Sequence, residues 1–253
     1  MIDHFSLLAK NWVKSFLYPR PLIGLLYLPR FIGHMSKYRT LAKDQKISFS
    51  DMSPCLGDWS EYTPFDAHYF YQAAWLARRL ADFSPVQHVD VGSSVSLIAI
   101  ASAIVNTVFI DLRPLPVSLR NLFPVAGDIL ALPLADDSIK SLSCLHVIEH
   151  IGLGRYGDPI DPRGTLKAAH ELQRALCPGG RLFLSLPVGR ERICFNAHRI
   201  YSVRSVLEIF SELNQIEYSY VDDRGNFHEY QSSVTASDME YGCGLFIFEK
   251  PPI

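Results

Sequence analysis

The chain has 253 residues, of which 48% are hydrophobic and 20% charged, which allows a sizeable core and excludes wholesale disorder. Its net charge of −2 argues against a general nucleic-acid-binding protein, so no nucleic-acid partner is expected. Five scattered cysteines without a Cys-x-x-Cys pair are typical of a reducing compartment, and the first residues lack a signal-peptide pattern. We therefore expect a cytoplasmic protein.

The first fifty residues are basic, with eight Lys/Arg and two Asp/Glu, a net charge of +6 that leaves −8 for residues 51–253. One hypothesis is a segment lying on an anionic membrane surface, which would make the protein peripheral to the inner face of a membrane. The other is a helical arm packed on the main domain or on a second copy in a homodimer. Prolines at 19, 21 and 29 break any long amphipathic helix and favour the second hypothesis. We predict this arm over residues 1–62 and the main domain over 63–253.

The main domain alternates helices and strands. Asp66 is placed to cap a helix that runs to about Ala81. Strand patterns follow at HVDV, NTVFIDL and SIKSLSCLHV, with a buried helix at SLIAIASAI between the first two. The apolar face of the first helix is predicted to consist of Phe70, Ala73, Ala74, Leu76, Ala77 and Leu80.

The alternation continues with a helix over 164–176, a turn at CPGG and a strand at RLFLSLPV. Strands that alternate with helices at this spacing predict βαβ units and a mostly parallel α/β sheet. IEYSYV and GLFIFEK are two further strand candidates without a convincing helix between them. They predict an antiparallel C-terminal edge of the sheet.

The first strand and its turn indicate a cofactor site. Asp90 lies at the end of this strand, Gly92 permits a tight turn, and the next helix can direct its first amides at a ligand. Asp111 closes the following strand, where an acid accepts hydrogen bonds from ribose hydroxyls. An adenosine-containing cofactor is therefore expected. Because the turn has serines in place of further glycines, a cofactor without a pyrophosphate suits it better.

Four blocks in this order, VDVGSS, VFIDLRP, AGDILALPLADDSIKSLSCLHVIEHI and ALCPGGRLFLSLPVG, resemble class I S-adenosylmethionine-dependent methyltransferases over about residues 65–250. The resemblance implies a Rossmann-like fold, S-adenosylmethionine as cofactor and methyl transfer. It assigns the methionine portion to Asp90 and Gly92, the ribose to Asp111, and the adenine to Asp128 with Ile129.

Positions 94 and 96, which are glycines in that family, are Ser94 and Ser96 here, and serine carries a Cβ that limits close backbone approach. This departure supports an alternative, in which the domain is catalytically silent and binds a nucleoside-like ligand or a protein partner. Ser94 is still among the predicted cofactor-binding residues. A narrower likeness, carried by EHIGLGRYGDPIDPRG and FNAHRIYS, is to a little-characterised methyltransferase-like family found partly among bacterial surface-polysaccharide genes. It suggests a small or glycan-type acceptor for a methyl group on oxygen or nitrogen.

HVIEH at 146–150 has the His-x-x-Glu-His spacing of one class of zinc peptidase, which requires a continuous helix. The preceding residues favour a strand, and Gly152, Gly154 and Gly157 follow closely, so we interpret HVIEH as a strand end and predict no metal site.

At a strand end, His146 lies beside the methionine part of the cofactor, and His150 is the candidate general base. Glu149 is predicted to orient His150 or the acceptor. The alternative is that Glu149 and His150 only brace the glycine-rich loop, which is the segment that contains Gly152, Gly154 and Gly157. The predicted substrate-binding residues are Arg155, Asp158, Asn196, His198 and Arg199, and residues predicted to cover the cofactor are Asp66, His68 and Tyr69.

Overall fold

The computed structural model describes residues 25–232 and 239–252, and the chain divides into two compact units, Met1–Phe65 and Asp66–Ile253. In the first unit, helix α1 spans Leu28–Leu41, and Pro29 lies in its first turn, where a missing amide proton leaves no hydrogen bond unmade. Pro29 therefore begins a helix here instead of breaking one. No helix in the described ranges is both long and apolar enough to cross a bilayer. Residues 1–24 of the predicted basic segment lie outside the described residues.

The described part of the second unit contains one eight-stranded sheet in the order β3-β2-β1-β4-β5-β10-β8-β9. The first five strands in this order are parallel, and the last three extend the sheet in antiparallel fashion, as the sequence predicted. A separate hairpin of β6 and β7 follows β5. The strands are β1 Gln87–Val91, β2 Asn106–Asp111, β3 Leu122–Ala126, β4 Ile139–Leu145, β5 Leu176–Val188, β6 Arg192–Cys194, β7 His198–Ile200, β8 Asn214–Val221, β9 Phe227–His228 and β10 Gly242–Glu249.

Helices cover both faces of this sheet. The helices are α2 Ala67–Phe83, α3 Val95–Ile104, α4 Gly164–Ala175 and α5 Val203–Ile209. Successive side chains of a strand point to opposite faces, so Phe183 of β5 packs with α2 and α3 while Leu182 and Leu184 pack with α4 and α5. Two hydrophobic cores thus hold the carboxyl ends of the parallel strands at one rigid edge.

Helix α2 corrects the predicted apolar face. Its N-cap is Asp66, whose carboxylate accepts a hydrogen bond from the Tyr69 amide, as predicted. Phe70, however, is 56% exposed, whereas the polar Gln72 and Arg79 are buried. Gln72 accepts a hydrogen bond from Ser185 on β5, and Arg79 pairs with Glu217 on β8. Partners on distant strands allow these polar groups to be buried, and periodicity within the helix cannot reveal them.

Two further segments differ from the sequence prediction. Strand β3 was not predicted. Pro124 lies in its middle, and a residue without an amide proton is tolerated there because β3 is an edge strand. CPGG was predicted as a turn, yet residues 177–180 lie inside the long β5. Gly179 adopts a φ of +68° there, and the register between β4 and β5 shifts beside it. The glycines thus form an irregularity within the strand.

Candidate functional site

The glycine turn after β1 is held by a buried polar network. Asp90 is fully buried, and its carboxylate accepts hydrogen bonds from the Ser93 amide at 3.1 Å, from the Ser93 hydroxyl at 2.7 Å and from the Ser143 hydroxyl. Burial raises the pKa of Asp90 to about 6, although these hydrogen bonds oppose the rise. Ser93 also accepts a hydrogen bond from the Leu145 amide, which ties the turn to β4. Asp90 therefore supports the turn from behind.

A cavity of about 460 Å³ opens in front of this turn. Four of the predicted cofactor-binding residues line it, namely Gly92, Asp111, Ile129 and His146. The other three, which are Asp90, Ser94 and Asp128, do not line it. Ser94 is the N-cap residue of α3, and the Asp128 carboxylate accepts a hydrogen bond from the Leu130 amide at 2.9 Å.

The serine at position 94 fits its backbone. Its φ of −63° is ordinary for any residue, whereas Gly92 has a φ of +69°, and a Cβ there would lie 3.1 Å from a Val147 methyl group. Ser96 is exposed and also does not line the cavity. The one position in this turn that requires glycine has it, so the serines leave the cavity open for an adenosine-containing ligand.

A second cavity of about 650 Å³ adjoins the first at the same edge of the sheet. The predicted residues that line it are Asp66, His68, Tyr69, His146, Glu149, His150, Arg155 and His198. Asp223 and Tyr241, which the sequence prediction missed, line it as well. His146 and His150 line both cavities and therefore lie between them.

The tautomer of His150 follows from its contacts. Its Nδ1 lies 2.6 Å from the carbonyl oxygen of Ala197, which can only accept a hydrogen bond, so Nδ1 carries the proton. Arg155 Nη1 is also 3.3 Å from Nδ1, but it can only donate, so this longer contact is not a hydrogen bond in that tautomer. Arg155 donates to the same carbonyl oxygen at 3.2 Å. The other ring nitrogen, Nε2, lies 3.7 Å from Glu149, too far for a hydrogen bond. A neutral His150 thus has an unprotonated nitrogen at the cavity wall.

Glu149 contacts His146 instead of orienting His150. Its Oε1 lies 2.9 Å from His146 Nδ1, while its Oε2 is buried and has no hydrogen-bond partner within the described ranges. His146 Nε2 in turn lies 3.2 Å from the sulfur of Cys243 on β10. Burial lowers the pKa of His146, but Cys243 and the Glu149 carboxylate outweigh it and raise this pKa well above its ordinary value. Cys243, 97 residues further along the chain, was not predicted as part of the site.

The glycine-rich loop is braced by its own polar groups. The Asp158 carboxylate accepts hydrogen bonds from the amides of Gly152, Gly154 and Tyr156. Burial raises the pKa of Asp158, but these amides outweigh that effect and hold it below its usual range. Gly152 has a φ of +82°, and a Cβ on it would overlap the carbonyl oxygen of Asp161. Asp158 lines the smaller cavity with Tyr156, so this loop forms one of its walls.

Two predicted substrate residues lie outside both cavity linings. Arg199 is buried and donates to the carbonyl oxygen of Ile151 at 2.7 Å and to the Thr165 hydroxyl at 3.2 Å. Asn196 is exposed at a φ of +64°, with its amide nitrogen 3.4 Å from the carbonyl oxygen of Leu153. Both residues contact the glycine-rich loop in this structure.

HVIEH does not have the geometry of a zinc peptidase site. Strand β4 ends at Leu145, His146 adopts a φ of +55°, and only Ile148–His150 forms a short 3-10 turn. A continuous helix, which would direct both imidazoles at one metal, is therefore absent from residues 146–150. The interpretation of this segment as a strand end is confirmed.

The strand order, the antiparallel edge and the helices on both faces define a Rossmann-like class I methyltransferase fold. The crystal structure of the [4+2]-cyclase SpnF is 15% identical, with a TM-score of 0.53, and the match covers 71% of this chain and 82% of that chain. The N-methyltransferase NodS from Bradyrhizobium japonicum, in complex with S-adenosylhomocysteine, is 16% identical with a TM-score of 0.50, covering 85% and 98%.

A third similar structure is phosphoethanolamine N-methyltransferase 2 of Haemonchus contortus, in complex with phosphomonomethylethanolamine and S-adenosylhomocysteine. It is 16% identical with a TM-score of 0.51, and the match covers 72% of this chain and 53% of that chain. Residues 135–241 match a family model described as Caenorhabditis protein of unknown function, DUF268. That stretch contains both blocks of the narrower sequence likeness. A search of curated proteins found no match.

Proposed function

We propose that this chain is an S-adenosylmethionine-dependent methyltransferase acting on an oxygen or nitrogen of a small or glycan-type acceptor. The observation that carries the proposal is the placement of His146 and His150 between two adjoining cavities. The smaller cavity has the turn and the acid expected of an adenosine site, Gly92 and Asp111. The larger one has room and polar groups for an acceptor.

Methyl transfer is an in-line displacement, so the protein mainly aligns the acceptor and excludes water. S-adenosylmethionine supplies the methyl group on a sulfonium. We assign the general-base role to His150, whose Nε2 takes the acceptor proton while Nδ1 stays bonded to Ala197. Arg155, His198 and Asp223 are the polar groups proposed to bind the acceptor.

The comparisons support this proposal at the level of the fold. NodS and the Haemonchus enzyme are N-methyltransferases described with S-adenosylhomocysteine bound. SpnF, on a similar fold, is described as a cyclase, so the fold by itself does not specify methyl transfer.

Isothermal titration with S-adenosylmethionine and S-adenosylhomocysteine tests the cofactor. We expect both to bind, and Asp111→Asn to weaken binding about tenfold to hundredfold, because a hydrogen bond to a charged group contributes about 1.5–3 kcal/mol. Asp82→Asn, at an exposed position of α2, is the control and should change nothing. No heat from either ligand would reject the enzyme and leave the catalytically silent domain.

The finer acceptor assignment rests on sequence resemblance. A role in surface-polysaccharide biosynthesis is proposed from the narrower sequence likeness alone. A cytoplasmic location is proposed from the cysteine pattern, since all five cysteines are free thiols in the described structure. A screen of sugar nucleotides and small amines, with S-adenosylhomocysteine release as the readout, identifies the acceptor. Turnover of amines alone would reject the glycan assignment.

The basic N-terminal segment is proposed to contact a second copy of the chain, and contact with an anionic membrane surface is the alternative. Its charge of +6 over residues 1–50 supports the alternative, whereas its prolines favour the first role. A dimer by light scattering, together with no retention of the full-length protein on anionic vesicles at low salt, is the expected result. Retention at low salt and release at high salt would favour the membrane surface.

A further inference from the structure

A group of three metal-ligating side chains lies at the edge of the larger cavity. One ligand atom each of His68, His146 and Cys243 falls within 4.8 Å of the other two. They come from the first turn of α2, the end of β4 and the start of β10, three segments that are far apart in the sequence. We propose that these residues form a binding site for a thiophilic divalent cation such as Zn²⁺, with an open coordination position facing the larger cavity.

The donor set favours this class of ion. Two imidazole nitrogens and one thiolate are the ligands that Zn²⁺ and similar borderline-soft metals prefer, whereas Mg²⁺ and Ca²⁺ require oxygen ligands. Three protein ligands with a free fourth position are typical of zinc sites that bind an exogenous oxygen. His68 and His146 both line the larger cavity, so the free position faces the space assigned to the acceptor.

The orientation of His146 suits metal binding. Its Nδ1 donates a hydrogen bond to the Glu149 carboxylate at 2.9 Å, so Nε2, which lies 3.2 Å from the Cys243 sulfur, is the ligand atom and releases its proton when the metal binds. A carboxylate that holds the far nitrogen of a metal-bound imidazole is a recurrent outer-shell arrangement. Glu149 here occupies that position and is fully buried.

His68 has no hydrogen-bond partner for its ring nitrogens among the described residues. It makes ring contacts with His146 and Tyr241 only. A metal at this site would supply a partner for His68, whereas a thiol hydrogen bond from Cys243 to His146 alone would not.

The binding test does not depend on the proposed function. Purified full-length protein, stripped with a chelator, is titrated with Co²⁺ and then with Zn²⁺. We expect one equivalent per chain, a thiolate-to-cobalt charge-transfer band in the near ultraviolet, and loss of this band when Zn²⁺ displaces Co²⁺. Absence of the band, or a metal content well below one equivalent after desalting, would overturn the site and leave a hydrogen-bonded Cys–His pair.

Substitutions at two of the three proposed ligands and at Glu149 test the position of the site. Cys243→Ser should abolish the band. Glu149→Gln should lower the affinity for Co²⁺ about tenfold to hundredfold, and His68→Ala should lower it more. Cys194→Ser and His170→Ala, outside the cluster, are the matched controls and should bind normally. Equal losses in the controls would show adventitious binding elsewhere. Because Cys243 is buried, circular dichroism checks that its variant folds, and the cobalt spectrum of the unaltered chain gives a result that needs no variant.

Discussion

His150 donates its Nδ1 proton to the carbonyl oxygen of Ala197 over 2.6 Å, which leaves Nε2 as the ring nitrogen that can accept a proton. Ala197 immediately precedes β7, so the hairpin after the fifth strand fixes the tautomer of a residue after the fourth. This contact gives His150 a fixed orientation at the wall of both cavities. It is the geometry that a general base needs, because a base must present its free nitrogen in a constant direction.

The first prediction concerns His150→Gln. If His150 is the base, the variant should bind S-adenosylhomocysteine as well as the parent does, while kcat falls by roughly 10² to 10⁴. Initial rates of S-adenosylhomocysteine release measure kcat, and isothermal titration measures the affinity. His170→Gln, at an exposed position, is the control, and an unchanged kcat in the His150 variant would favour the bracing role.

The second prediction concerns Gly92→Ala. Alanine at a φ of +69° costs about 1–2 kcal/mol, and its Cβ would press on Val147 beside the smaller cavity. Gly179 has nearly the same φ, +68°, and among the described residues a Cβ on it would approach only the flexible end of Lys140. Urea unfolding should therefore show comparable losses for Gly92→Ala and Gly179→Ala, whereas titration with S-adenosylhomocysteine should show weaker binding only for the first. Equal affinities would contradict the placement of the cofactor against this turn.

The third prediction concerns pH and His88, a fully buried residue whose ring nitrogens contact the hydroxyls of Ser141 and Ser143. Burial lowers the pKa of His88 to about 3. Between pH 6.5 and 3, His88 therefore binds a proton in the unfolded chain but not in the folded chain, so the free energy of unfolding falls as the pH falls. The loss approaches about 1.4 kcal/mol per pH unit.

Asp90 partly offsets this loss. Its pKa of about 6 lies above the ordinary value of 3.8, so between pH 6 and 3.8 the folded chain binds a proton that the unfolded chain does not, and the free energy of unfolding rises as the pH falls. Comparison of the parent with His88→Gln removes the contribution of Asp90, which both share. The variant should have a smaller decline of unfolding free energy between pH 6.5 and 4, measured by urea denaturation. An identical slope in both proteins would show that His88 does not titrate as its burial requires.

The fourth prediction concerns Arg79, which is buried between α2 and β8 and pairs with Glu217 at 2.8 Å and Glu229 at 2.7 Å. Arg79→Met should lower the free energy of unfolding by about 3–5 kcal/mol, because Glu217 would be left as a buried carboxylate without its cation. Arg204→Met breaks the exposed pair with Glu208 and should change little. The double variant Arg79→Met with Glu217→Gln should recover part of the loss, and failure to recover would point to lost packing.

Elements that depend on nearby residues could be predicted from the sequence. The Asp66 cap, the strands ending at Val91 and Asp111 and the antiparallel finish were all predicted, because capping, periodicity and turn chemistry act within a few residues. The glycine turn was likewise recognisable, since a strand that ends in an acid and a glycine is a local pattern.

The wrong predictions concern elements whose surroundings depend on the order of the strands in the sheet. Strand β3, which contains Pro124, was not predicted, because only the sheet order shows that this strand lies at an edge. Burial of Arg79 on α2 depends on Glu217, 138 residues away. Phe70 was expected in the core and is exposed, because the face of α2 that packs is set by the strands beneath it.

By itself, the sequence determined the class of fold, and it predicted the ends of β1 and β2 as the place for a cofactor. Only the tertiary structure decided which side chains meet there. The pairing of β10 with β5 places Cys243 opposite Pro187 and thereby beside His146, and the β6–β7 hairpin brings Ala197 to His150. The physical reason is that local patterns are set by neighbouring residues, whereas these contacts depend on strand order and register across the whole sheet.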